Sequence, residues 1–198
     1  GRIRKGDSVN LTVAEEKRRA TEANHSGTHV LQAAMKRVLG DHIKQSGSLV
    51  TSERLRFDFT HFSRIEDDEL ERIETLANAV IRRNMPVVTQ VLPIEEALKT
   101  GATAVFDEKY GDRVRVVRMG DFSMELCGGT HIRRTGDIGF LKILHESAIA
   151  AGVRRIEAVT GGEAVKYARR VENELKKAAN LLKSNPSELS ERVEKLVK

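Results

Sequence analysis

Apolar residues recur every three or four positions in two long stretches of the chain, and this spacing predicts amphipathic helices. The first helix is expected over residues 14–39. Thr12 and Glu15, at its start, have the spacing of a capping box. The second is expected between a similar pair headed by Ser63 and the helix-terminating Pro86. These two helices would supply two apolar faces that a sheet can cover.

Apolar and polar residues alternate over 9–13 and 55–60, as in half-buried strands. Further strands are predicted over 87–92, 113–119, 140–144 and 156–160. After Gly161 and Gly162 the strand signals vanish, and helices are predicted over 163–182 and from about 187. The order strand, helix, strand, helix and then several strands predicts an α+β fold. An antiparallel or mixed sheet with packed helices would be followed by a C-terminal helical segment.

The length of 198 residues suits one medium domain with a small appendage. We expect a domain over 1–162 and a helical connector over 163–198, with 1–13 as the remnant of a preceding domain. Since the chain does not begin with Met and ends in a connector-like stretch, we expect a fragment of a longer protein. The sequence gives no prediction of the oligomeric state.

Composition narrows the classes of partner. The chain has 34 Lys and Arg against 29 Asp and Glu, a net charge of +5 that permits an anionic partner without requiring one. No stretch approaches the roughly 18 apolar residues of a membrane helix, so no membrane partner is expected. The lone Cys127 excludes an intrachain disulfide and favours a cytoplasmic location. With 4% aromatic residues and no Trp, base-stacking platforms are not expected.

Two pairs of side chains have the spacing of metal ligands. His25 and His29 lie four residues apart in the first predicted helix, so both imidazoles face the same side. Cys127 and His131 flank a Gly-Gly-Thr turn that would let a thiolate and an imidazole converge. Three imidazoles and one thiolate form a donor set suited to tetrahedral Zn²⁺.

Other interpretations of these residues stay open at this point. A histidine pair at this spacing also arises by chance on a helix surface. Four protein ligands normally make a closed, purely structural zinc site. Cys127 could instead be a nucleophile with a histidine base, although this leaves the helical pair unexplained.

The same residues lie in motifs that resemble the editing domain of alanyl-tRNA synthetases. The resemblance covers most of the chain and rests on the segments Gln45–Val50, Leu55–Phe59, Ile81–Asn84, Met119–Ser123, Glu125–His131, Thr135–Gly139 and Gly152–Gly161. The ligand spacing alone is shared with threonyl-tRNA synthetases. The Cys-Gly-Gly-Thr-His and Gly-Val-Arg-Arg-Ile-Glu runs favour the alanyl family.

This resemblance implies an editing-domain fold and hydrolysis of mischarged Ser-tRNA(Ala) and Gly-tRNA(Ala) at a zinc site. The expected partner is the acceptor end of tRNA(Ala), and the remaining synthetase domains would lie outside this fragment. A free-standing trans-editing deacylase, a deacylase of the threonyl type and a non-catalytic, zinc-stabilised RNA-binding module remain alternatives.

The resemblance also implies roles for residues around the zinc ligands. Thr28 would recognise the serine hydroxyl, unless its hydroxyl only bonds back to its own helical turn. Gln45 would orient water or the substrate amino group, unless it is an exposed loop residue. The backbone N–H groups of Gly128 and Gly129 would approach the ester oxyanion, unless these glycines serve only the turn.

Four arginines are candidates for contacts with tRNA phosphates, because phosphate contacts dominate nucleic-acid affinity. They are Arg133, Arg134, Arg154 and Arg155. A solvated surface charge is the alternative interpretation for each of them.

Overall fold

A computed structural model describes residues 2–103 and 111–198 of the chain. Its helices are α1 (Glu15–Leu39), α2 (Asp67–Arg82), α3 (Ile94–Lys99), α4 (Gly161–Leu181) and α5 (Leu189–Val197). Its strands are β1 (Gln45–Val50), β2 (Leu55–Thr60), β3 (Val87–Pro93), β4 (Arg113–Met119), β5 (Ser123–Leu126), β6 (Leu141–Ala150) and β7 (Val153–Thr160). Short 3-10 helices span Thr135–Ile138 and Pro186–Glu188.

The described strands form two antiparallel sheets, in the orders β1-β2-β7-β6 and β3-β4-β5. α1 packs against α2, β2 and β7, and α2 packs against β6. The smaller sheet meets α1 through β5. The predicted α+β fold with antiparallel sheet and packed helices is therefore confirmed.

The main core lies between α1, α2 and the larger sheet, where Leu31, Met35, Phe57 and Phe59 are fully buried. Close approach of α1 to the sheet depends on Gly27, because a Cβ there would lie 2.9 Å from the Thr160 Cγ2 atom. This packing fixes the face of α1 that carries the two histidines.

Several predicted element boundaries are wrong. No strand forms over residues 9–13, because Val9, Leu11 and Val13 are exposed and pair with no other strand in the described chain. Thr12 does not cap α1, whose N-cap is Ala14 without a side-chain hydrogen bond. At α2 the capping pair lies three residues later than predicted, because the Glu66 N–H donates to the Glu69 carboxylate at 3.0 Å.

The two long helices, and the strands β2, β3 and β4, are confirmed close to their predicted bounds. The pattern missed β1, α3 and β5, and it ended β6 six residues early. Gly161 and Gly162 are the first two residues of α4, which packs on β7. The division of the chain at residue 162 stays a prediction.

No helix in the part of the chain that the structure describes combines the length and the apolar character needed to cross a membrane.

An ion pair links the two central strands of the larger sheet. The Arg155 guanidinium donates to both carboxylate oxygens of Asp58, at 2.7 and 2.8 Å, and Asp58 is buried. These hydrogen bonds lower the pKa of the Asp58 carboxyl below its usual value. The pair therefore stabilises the fold while the carboxylate is charged.

We expect Asp58→Asn to lower the free energy of unfolding by about 1 to 3 kcal/mol at pH 7, because Arg155 loses a charged acceptor. Since the folded pKa is depressed, this stabilisation is fully present above the unfolded value of about 3.9. It is lost as the pH falls through the lower, folded value. Urea unfolding of both proteins from pH 7 down to pH 2.5 measures the difference. A constant difference across that range would contradict the assignment.

Candidate metal centre and its cavity

Four donor side chains converge from two distant segments of the chain. α1 carries His25 and His29, and the loop after β5 carries Cys127 and His131. Their donor atoms all lie within 4.8 Å of one another. The Cys127 Sγ atom is 3.4 Å from the His25 Nε2 and 3.3 Å from the His131 Nε2. The structure thus brings together all four residues that the spacing singled out, and they could hold a metal ion.

Each imidazole is held through its Nδ1 atom. The His25 Nδ1 lies 3.1 Å from the Thr130 carbonyl oxygen, and the His131 Nδ1 lies 3.1 Å from the Ser26 Oγ. The His29 Nδ1 lies 2.8 Å from a carboxylate oxygen of Glu125, which is buried. Because every Nδ1 lies within 3.1 Å of a polar partner, the Nε2 atoms are left for the centre of the cluster, as metal-ligating histidines require.

The electrostatics of the cluster favour a cation. Burial alone would raise the pKa of the Cys127 thiol, but hydrogen bonds with His131 and His25 and the nearby charge of His29 outweigh burial and lower that pKa to about 3. Burial opposes a charge on His29, yet Glu125 and Cys127 outweigh burial and raise the pKa of His29 to about 10. The cluster therefore holds a thiolate and attracts positive charge beside it.

One donor atom of the cluster lacks the hydrogen-bond partner that a buried nitrogen normally has, and this also fits a metal site. The buried Nε2 of His29 has no hydrogen-bond partner within the described residues. A buried nitrogen without a partner is costly, and coordination would satisfy it. Soft thiolate and borderline imidazole donors suit Zn²⁺ better than Mg²⁺ or Ca²⁺.

The loop that carries Cys127 is shaped by close contacts. A Cβ on Gly129 would lie 2.1 Å from the His25 Cε1 atom, so only glycine fits there. The Arg115 guanidinium on β4 donates to the carbonyl oxygens of Gly128 and Gly129. The Cys127 N–H donates to the Arg115 carbonyl oxygen at 2.9 Å. Arg115 thus holds the first three residues of the loop, from Cys127 to Gly129.

A cavity of about 480 Å³ adjoins three of the donor residues. The predicted site residues that line it are His25, Thr28, His29, Gln45, Cys127, Gly128 and Gly129. The Thr28 hydroxyl donates to the Asn24 carbonyl oxygen at 2.9 Å, so its hydrogen is used but its lone pairs remain. Gln45 is half-buried at the start of β1 and not in an exposed loop.

The four arginines expected to contact tRNA have different surroundings. Arg154 forms a paired contact with Glu146, and Arg155 forms the one with Asp58, so both charges are compensated within the protein. Arg134 is exposed and donates to the Asn84 carbonyl oxygen, while Arg133 is exposed. None of the four lines the cavity beside the donor cluster.

Three residues that support the cluster were missed from the sequence. Glu125 had a signal, since it precedes Cys127 by two residues and strand alternation puts both on the same side. Ser26 and Arg115 had no such signal in the sequence. His131, the partner of Ser26, lies 105 residues away, and the two glycines that Arg115 contacts lie 13 and 14 residues away. Only the folded chain shows those contacts.

Comparison with known proteins identifies relatives over the whole chain. Residues 114–157 match the family described as the threonyl and alanyl tRNA synthetase second additional domain. The alanine–tRNA ligase of Desulfitobacterium hafniense is 55% identical over 197 residues, which is 100% of this chain and 22% of that protein. The alanine–tRNA ligase of Acidithiobacillus ferridurans is 56% identical over 193 residues, or 98% of this chain and 22% of that protein.

The alanine–tRNA ligase of Carboxydothermus hydrogenoformans is 52% identical over 198 residues, which is 100% of this chain and 23% of that protein. The chain thus spans about a fifth of these curated relatives. The chain is therefore homologous over its whole length to a segment of alanine–tRNA ligases, and its residues 114–157 match the second additional domain of threonyl and alanyl tRNA synthetases.

Proposed function

We propose that the chain is an aminoacyl-tRNA deacylase that hydrolyses the ester of Ser-tRNA(Ala) and Gly-tRNA(Ala). Its metal would be Zn²⁺, held by His25, His29, Cys127 and His131. The observation that carries the proposal is the position of this donor cluster at the wall of a cavity that Thr28, Gln45 and two glycines also line. We place this activity in residues 1–162 and regard 163–198 as a helical connector.

A synthetase needs such a hydrolase because the pocket that activates alanine cannot fully exclude glycine and serine. A pocket that activates alanine cannot exclude glycine by size, because glycine is smaller. An apolar pocket also rejects an added hydroxyl only weakly. A second, hydrolytic site must therefore remove serine and glycine from tRNA(Ala) after transfer.

In the proposed reaction, water attacks the carbonyl carbon of the aminoacyl ester. A new carbon–oxygen bond forms, the bond to the ribose oxygen breaks, and that oxygen leaves as a hydroxyl with a proton from the water. When bound, zinc supplies a Lewis acid that polarises the ester or acidifies water. The N–H groups of Gly128 and Gly129 would stabilise the developing oxyanion. The Gln45 amide would orient the water or the substrate amino group.

Thr28 gives the site its selectivity in this proposal. Because its hydrogen is donated to Asn24, its oxygen can accept a hydrogen bond from the serine hydroxyl. The methyl group of alanine would instead lie against that oxygen without a hydrogen bond, and glycine places no group there. Arg133 and Arg134, both exposed, are the better placed of the proposed tRNA contacts at the acceptor end.

The test is to incubate the chain with Ser-tRNA(Ala) and Ala-tRNA(Ala), with and without a chelator. We expect hydrolysis of the seryl ester to exceed that of the alanyl ester and to fall at least tenfold when metal is removed. Equal hydrolysis of both esters, or unchanged rates without metal, would contradict the proposal. Seryl and threonyl esters on tRNA(Thr) serve as the control for a threonyl-type activity.

A second candidate is a zinc-stabilised RNA-binding module without catalysis. The four protein donors favour it, because structural zinc sites are normally closed by four ligands. The two candidates differ in their response to chelation. Removal of a structural zinc unfolds a small zinc module. The deacylase, with its core between two helices and a sheet, would stay folded and lose activity.

A further inference from the structure

Glu125 is a buried acid beside the donor cluster that the proposed chemistry does not use. It lies on β5, and only 4% of its surface is exposed. One carboxylate oxygen is 2.8 Å from the His29 Nδ1, and the other accepts a hydrogen bond from the Ser123 hydroxyl at 3.2 Å. A charge so far from water needs a compensating charge close by.

Among the three imidazoles, His29 alone is held by a charged partner. His25 is held by a carbonyl oxygen and His131 by a hydroxyl, both of which are neutral. His29 is also the only buried member of the donor set. The carboxylate thus acts on the ligand that water reaches least.

We propose that Glu125 is the positioning residue of the metal centre, acting through His29. It fixes the ring so that the Nε2 faces the metal, and it supplies the second negative charge that a bound dication needs. The inference rests on the metal centre of the proposed function.

Counting charges gives the proposal its physical basis. A dication beside the Cys127 thiolate and the Glu125 carboxylate, with three neutral imidazoles, leaves the buried centre with no net charge. Without Glu125 the loaded centre would carry one uncompensated positive charge away from water, where charge is costly. Carboxylates that hold metal-ligating histidines in this way change metal affinity about 10- to 100-fold.

The test is the affinity of Glu125→Gln for Zn²⁺ and Co²⁺, measured by competition with a chelator and by the visible absorption of bound Co²⁺. We expect the dissociation constant to rise about 10- to 100-fold. Glu146→Gln is the matched control, since the Glu146 side chain is as buried as that of Glu125 and pairs with Arg154 away from the cluster. We expect it to lower stability without changing the affinity for metal.

A double-mutant cycle separates positioning from simple packing. Because Glu125 acts in part through His29, the loss of affinity caused by Glu125→Gln should be smaller in a His29→Gln background, where only the effect of its charge remains. An equal loss in both backgrounds, or wild-type affinity in Glu125→Gln, would overturn the inference. If Glu125→Gln does not fold, Glu125→Asp keeps the charge but withdraws the carboxylate from His29, and wild-type affinity in that variant would overturn it too.

The proposed deacylase and the role of Glu125 fail in different ways. If the wild-type chain binds neither Zn²⁺ nor Co²⁺, the metal centre itself is wrong and the role of Glu125 falls with it. If the wild-type chain binds metal but does not hydrolyse Ser-tRNA(Ala), the deacylase fails, while the affinity of Glu125→Gln still decides the role of Glu125.

Discussion

Cys127→Ala is expected to raise the dissociation constant for zinc by more than 100-fold. Structural zinc sites with four ligands bind with about 10 to 16 kcal/mol, so one ligand contributes on the order of 3 kcal/mol. The thiolate is also the only anionic donor among the four. Because the proposed deacylase needs the metal, hydrolysis of Ser-tRNA(Ala) should fall by a similar factor. Competition with a chelator and the deacylation assay measure the two effects.

The control for this variant is His145→Gln, which changes an exposed histidine on β6 outside the cluster. Its zinc affinity and its rate of deacylation should match those of the wild type. If Cys127→Ala keeps full activity without bound metal, both the ligand assignment and the proposed reaction are wrong.

Gly129→Ala is expected to disrupt the centre without changing any donor. The added Cβ would lie 2.1 Å from the His25 Cε1 and 2.7 Å from its Nδ1, far inside van der Waals contact. Because Arg115 fixes the Gly129 carbonyl, the loop cannot withdraw without losing that hydrogen bond. The His25 ring must therefore leave its place near Cys127. We expect at least a tenfold loss of zinc affinity and a cost of about 1 to 3 kcal/mol in the free energy of unfolding.

The neighbouring glycine provides a matched control. A Cβ on Gly128 meets no atom within 4 Å, so Gly128→Ala adds the same methyl group to the same loop without a clash. Its zinc affinity and denaturant midpoint should stay close to those of the wild type. Equal losses in both variants would show that the loop needs glycine for its backbone freedom and not for the space beside His25.

Local patterns predicted the parts of this fold that bury their own apolar face. β2 is an example, because Leu55, Phe57 and Phe59 alternate with polar residues and fill the core. β1 was missed because its Gln-Ser-Gly-Ser stretch has no such alternation and becomes a strand only by pairing with β2. The 9–13 segment shows the reverse case, since it alternates but has no sheet to join.

The candidate site was likewise predictable only where its residues are close together in the sequence. Each ligand pair is visible in the sequence because its spacing is local, four residues within α1 and four across the Gly-Gly turn. Spacing could not show that the two pairs meet, since about a hundred residues separate them; that step came from the match of the donors to zinc and from the family resemblance. The hydrogen bond between Ser26 and His131, and the ion pair between His29 and Glu125, required the folded chain.

The separation of the two ligand pairs has a consequence for how the protein responds to its surroundings. A metal held by α1 and by the loop after β5 is a reversible cross-link between segments that the unfolded chain leaves far apart. Binding to the folded state alone would add about 2.7 kcal/mol when free metal exceeds its dissociation constant 100-fold. The melting temperature would then rise with the concentration of free zinc. Zinc supply would therefore set the fraction of the protein that is folded as well as the fraction that carries metal.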